Sequence, residues 1–136
     1  MIVRKGLCSR CRAQGALPSS SSGDVREWAA RLPGWVEVTP VETLDDTAFR
    51  PLGAGERAAI TLALRLHADL ILIDDRKGTD VALDKGFEVT GTLDILGLAA
   101  RRGLVNLPDS FARLKRTNFR YRQEIMDALL DQQAGE

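Results

Sequence analysis

Apolar positions along this chain follow two different spacings, and the switches between them mark out its elements. From residue 54 to 67 they recur every three or four residues, at Ala59, Ile60, Ala63 and Leu64, with His67 on the same stripe. That is the spacing of one helix face. They then become continuous in LILI, residues 70–73, as in a strand buried on both faces of a parallel sheet. Asp75 to Thr79 reads as a turn into a helix TDVALDK, with Gly86 beyond its end in the left-handed stop position. Phe87 to Val89 is a second short apolar strand. Thr90-Gly91-Thr92 turns into a helix over 93–102, which Gly103 closes. Two further helices are predicted, one from Pro108 to about Arg116 and one from Tyr121 to about Gln132; proline suits the first turn of the former.

Upstream, Asp24 is placed to cap a short helix VREWAARL that Pro33-Gly34 ends. WVEVT alternates as a strand does, and residues 41–51 form a loop carrying Asp45 and Asp46. The order is βαβαβα followed by helices, which predicts an α/β fold with a small parallel sheet. Residues 1–23 show no period and end in four serines, so the reading is an irregular N-terminal segment before a folded domain over 24–136.

A chain of 136 residues, 44% hydrophobic and 28% charged, has the size and composition of one globular domain. No apolar run approaches the roughly 20 residues of a membrane span. The basic N-terminus lacks the apolar core of a signal peptide. The expectation is a cytoplasmic protein without a membrane partner. Gly53-Ala54-Gly55 lacks both the preceding strand and the Lys-Ser/Thr of a phosphate-binding loop. Cys8 and Cys11 form one CxxC with no further cysteine, short of the four ligands a structural zinc site takes.

The net charge of zero conceals a segregation. Residues 24–100 hold eight basic and fourteen acidic side chains, a balance of −6. From residue 101 to 122 Arg101, Arg102, Arg113, Lys115, Arg116, Arg120 and Arg122 face only Asp109, a balance of +6. An acidic centre beside a basic segment suits a metal site next to a polyanion-binding surface. Phe111, Phe119 and Tyr121 lie among these cations, where aromatics either stack bases or, at helical spacing, serve the core.

The chemistry is concentrated between Leu52 and Lys77. Glu56 begins one helix, and Asp74 and Asp75 end the strand after it. A helix laid back against a parallel strand brings both ends to the carboxyl edge of the sheet, where open α/β folds place their sites. Converging carboxylates there suit a hard divalent cation. Only one of two successive aspartates faces a given side of a strand, so Asp75 is assigned to the metal and Asp74 to support. Each acid also has a plain structural reading. Glu56 and Asp94 are favourable first-turn acids, and Asp74 or Asp75 can cap the following helix. His67, in the last turn, reads as a dipole partner or partly buried packer, and Arg76 and Lys77 as phosphate contacts or neutralising cations.

Gly55-Glu56-Arg57-Ala58-Ala59-Ile60, Leu72-Ile73-Asp74-Asp75-Arg76-Lys77-Gly78 and Val89-Thr90-Gly91-Thr92, in this order and spacing, resemble the PIN-domain superfamily. The closer likeness is to an uncharacterised bacterial PIN-like branch grouped with VapC-type toxins of toxin–antitoxin pairs, over roughly residues 24–132. The resemblance implies a three-layer α/β/α fold and a ribonuclease dependent on Mg²⁺ or Mn²⁺. It puts Glu56 and Asp75 in the catalytic and metal-binding positions, with Asp74 and Asp94 as further metal ligands. Arg76, Lys77, Arg101 and Arg102 are assigned to RNA. A small antitoxin protein and a second copy of the chain are the implied protein partners. The family's first strand ends in an aspartate; here Met1-Ile2-Val3 can mimic that strand's start, but Arg4-Lys5-Gly6 follows and the first acid is Asp24. The expectation is therefore an N-terminal part truncated or replaced, as a shortened or frame-shifted gene product would show. The competing function is a PIN-like domain that binds RNA or a protein partner without turnover.

Overall fold

A computed structural model describes residues 2–3, 11–13 and 23–135. They fall into two units, Met1–Thr90 and Gly91–Glu136. The first holds a five-stranded sheet built from β1 (Ile2–Val3), β2 (Cys11–Ala13), β3 (Val36–Val38), β4 (Leu70–Leu72) and β5 (Glu88–Thr90), in the order β3-β2-β1-β4-β5. The parallel pairing expected from the βαβ pattern is present twice, between β4 and β5 (Ile71 opposite Val89) and between β2 and β3 (Arg12 opposite Glu37). β1 runs antiparallel to both of its neighbours. Only seven residues separate it from β2, and a parallel partner needs a crossover of a dozen or more. Two pieces of the segment read as irregular are thus strands of the sheet.

Helix α1 spans Gly23–Ala30, starting one residue before Asp24. The 41–51 loop is more ordered than its sequence suggested. Asp46 accepts the Ala48 N–H at 2.9 Å and caps a 3-10 turn, Thr47–Phe49, which drives Phe49 into the core. Helix α2 (Ala54–Leu66) buries Ile60, Thr61, Leu62 and Ala63, and its Thr61 hydroxyl accepts the Leu44 N–H at 3.2 Å, tying the loop down. Around them Phe49, Leu52, Ala68, Ile71, Ala82 and Phe87 complete the first core. Each large side chain fully buried there stabilises the fold by roughly 1.5–3 kcal/mol.

Helix α3 (Arg76–Asp84) begins three residues earlier than the TDVALDK reading, because Asp75 caps it. It ends as predicted: Gly86 has φ +87°, its N–H bonds the Leu83 carbonyl and that of Phe87 bonds the Ala82 carbonyl, which closes the helix and aims the chain into β5.

The second unit is helical. It comprises α4 (Thr92–Arg101), α5 (Leu107–Leu114), capped by the Asn106 side chain on the Asp109 N–H, and α6 (Gln123–Ala134). Its own core is Leu93, Ala100, Leu107, Phe111 and Met126. Gly97 lets α4 and α6 approach closely: a Cβ there would lie 3.1 Å from Leu129 Cδ2.

Candidate functional site

β4 runs out at Leu72, and one further bond, from the Ile73 N–H to the Thr90 carbonyl at 3.0 Å, carries the chain to the sheet edge. Asp74 and Asp75 follow, both exposed. Asp75 has extended backbone angles, and its Oδ2 accepts the Gly78 N–H at 2.9 Å. The cap reading of this residue is therefore realised. Arg76 and Lys77 lie in the first turn of α3, exposed, rather than in a turn before it.

Gly78 is buried at the third position of α3. A Cβ there would run into Ile73 Cδ1 and lie 3.2 Å from Glu56 Cγ. Glu56, at the third position of α2, folds back over its helix start, where a Cβ on Gly53 would collide with its carboxylate. Asp75 thus bonds the Gly78 N–H, and the stem of Glu56 occupies the space beside Gly78 while its carboxylate turns toward Gly53. The starts of α2 and α3 meet beyond the carboxyl end of β4, and both present the positive end of a helix dipole. Sequence reasoning placed the two acids at this edge and included Gly78 in the motif, three residues after Asp75, without giving the glycine a role.

The wider carboxylate set is not gathered. Among the described residues no three His, Cys, Asp or Glu side chains form a group able to hold a metal ion. Asp94 belongs to the second unit, where its Oδ2 accepts the Gly91 N–H at 3.0 Å as half of a capping box. What the sheet edge offers is Glu56 and Asp75. Oxygen donors of this kind fit Mg²⁺ or Mn²⁺, since Mg²⁺ is commonly held by one or two protein carboxylates with water and substrate phosphate completing its shell. Arg57, next to Glu56 in α2, has no role in the sequence reading of the motif; its Nε is buried without a hydrogen-bond partner, an arrangement that costs stability.

His67 ends α2 in the left-handed region, φ 48°, and is exposed; it is no packer. In the second unit Arg101 occupies the last turn of α4 and Arg102 caps it, both exposed, where cations favour the dipole. Phe111 is a core residue and Phe119 packs partly buried against the same core. Tyr121 departs from the core reading: it is 39% exposed, with Lys115 Nζ 5.5 Å from its ring centroid. Of the CxxC pair, Cys8 lies outside the described residues. No helix among the described residues is long and apolar enough to cross a membrane.

The DUF3368 family of PIN domains matches residues 13–136. No curated protein and no solved structure matches the chain. With its parallel strand pairs, its helices and the acids at the carboxyl edge of β4, the chain belongs to the PIN-domain family.

Proposed function

We propose that this PIN domain is a divalent-metal-dependent endoribonuclease of VapC-type toxin kind. The observation that carries the reading is the meeting of Glu56 and Asp75 at Gly78, beyond the end of β4. These two carboxylates would hold Mg²⁺ or Mn²⁺, with Asp74 as a neighbouring support. When bound, such an ion supplies polarisation of a phosphodiester and a more acidic water. Arg76 and Lys77, in the first turn of α3, would bind phosphates flanking the scissile bond, and Arg101 and Arg102 more of the strand. The protein partners proposed are a small antitoxin and a second copy of the chain, in the cytoplasm.

The test is cleavage of a labelled single-stranded RNA with Mn²⁺ or with EDTA, beside Mn²⁺ binding measured by titration calorimetry. Glu56→Gln and Asp75→Asn are each expected to lower cleavage at least a hundredfold and to weaken Mn²⁺ binding. Asparagine caps helices as well as aspartate does, so the second change removes charge without uncapping α3. Cleavage that persists in EDTA or in both variants would overturn the reading.

One observation favours the alternative, a domain that binds without turnover. β1 is Ile2–Val3 and brings no carboxylate to the sheet, and the described acids form no group of three. On that reading folded protein binds RNA or a partner, and no metal gives cleavage.

A further inference from the structure

The connection from α5 to α6 belongs to the second unit. Between Ser110 and Gln123 the chain holds Arg113, Lys115, Arg116, Arg120 and Arg122 and no acidic residue at all. All five are exposed, and none of the four arginines makes a salt bridge to a described acid. Exposed basic side chains on a helical protein are usually interleaved with acids that offset them; between Ser110 and Gln123 none is.

The segment is also held in shape. The Thr117 N–H and hydroxyl both donate to the Leu114 carbonyl, at 3.0 and 2.7 Å, and Thr117 Oγ1 accepts the Phe119 N–H at 3.1 Å. Phe119 anchors it on the core of the second unit. Lys115 reaches across to Gln123 Oε1 at 2.9 Å and sits over the Tyr121 ring. Little freedom is therefore lost when this loop takes a ligand. Tyr121 is 39% exposed, with Lys115 over its ring and Arg120 and Arg122 as its neighbours in sequence.

From this combination we infer that the α5–α6 connection is a binding surface for single-stranded RNA, separate from the acid pair. Guanidinium forks match phosphate oxygens, and four of the five cations are arginines. A partly exposed ring among them gives a base a surface to stack on, the pairing used by strand-binding proteins that do not read sequence. An acidic protein segment would satisfy the cations but has no use for the ring; that difference separates the two partners. The surface does not require turnover, so it stands whether or not Glu56 and Asp75 support cleavage.

The test is fluorescence anisotropy of a labelled twelve-nucleotide uridine RNA with the full chain in EDTA, at several salt concentrations. Arg116→Gln/Arg120→Gln/Arg122→Gln is expected to bind at least tenfold more weakly. It should also flatten the dependence of log affinity on log salt by about 2, since each phosphate neutralised on a single strand contributes about 0.7. Tyr121→Leu is expected to lose about tenfold in affinity with the salt slope unchanged, as the loss of one stacked base would give. Far-ultraviolet circular dichroism confirms that the exposed substitutions leave the fold intact. Wild-type affinity and slope in the triple variant would overturn the inference. So would a neutral Tyr121→Leu coupled with equal competition by polyglutamate of the same charge, which would assign the surface to an acidic protein.

Discussion

The Oδ2 atom of Asp75 closes the first turn of α3 on the Gly78 N–H, and Gly78 in turn lies against the stem of Glu56. Capping and metal binding therefore fall on one side chain, and two substitutions separate them. Asp75→Ala removes the cap and should cost about 1 kcal/mol, seen as a fall in Tm of about 3–4 °C for a chain of this length. Asp75→Asn should leave Tm within a degree or so of wild type while abolishing metal-dependent cleavage. A second residue holds strain. His67 sits at φ 48°, a region that costs most L-residues about 1 kcal/mol and glycine almost nothing. His67→Gly should raise stability by about 0.5–1 kcal/mol in urea unfolding, with cleavage unchanged because His67 lies at the far end of α2 from Glu56.

At the scale of elements, the 3-10 turn and the end of α3 are joined by one ion pair. Lys85 Nζ lies 2.6 Å from Asp46 Oδ2 and 5.7 Å from the centroid of the Phe49 ring. The Lys85 hydrogen bond first, and the Ala48 N–H second, hold the Asp46 carboxyl below its ordinary 3.8. A carboxylate depressed in the folded state stabilises it above the unfolded value, and this contribution is lost as pH falls through the lower folded value. The stability difference between wild type and Asp46→Asn should thus be constant at neutral pH, begin to shrink as pH nears 3.8, and vanish below the folded value. Urea titrations across that range check it. The helices themselves were legible where apolar spacing ran for three or more turns, as in α2. Their starts were less so. α3 begins three residues before its apolar period does, because Asp75, Arg76 and Lys77 offer none, and only the Asp75 cap with Gly78 behind it marks the true beginning.

For the whole molecule, two cores serve two jobs. The first supports the sheet and its acid edge; the second, around Met126 and Phe111, supports the basic α5–α6 connection. Met126 is fully buried, and Met126→Ala should cost about 2–5 kcal/mol in urea unfolding, with a matching loss of RNA binding at temperatures where the second unit melts. The α/β class and the edge that gathers Glu56 and Asp75 were readable because βαβ chains have few ways to fold. The antiparallel β1 was not: two residues carry no period, and their pairing depends on partners distant in sequence. Nor could spacing show that Asp94 caps its own helix, since a first-turn acid and a ligand look alike until the Gly91 N–H is found in contact with it. The central claim is that Glu56 and Asp75 form a working metal site. Its most direct test is cleavage of labelled single-stranded RNA by folded protein in Mn²⁺, with EDTA and Asp75→Asn as controls. The account predicts cutting that needs the metal and is lost in the variant. Folded protein that binds the RNA but leaves it intact in every metal would contradict it.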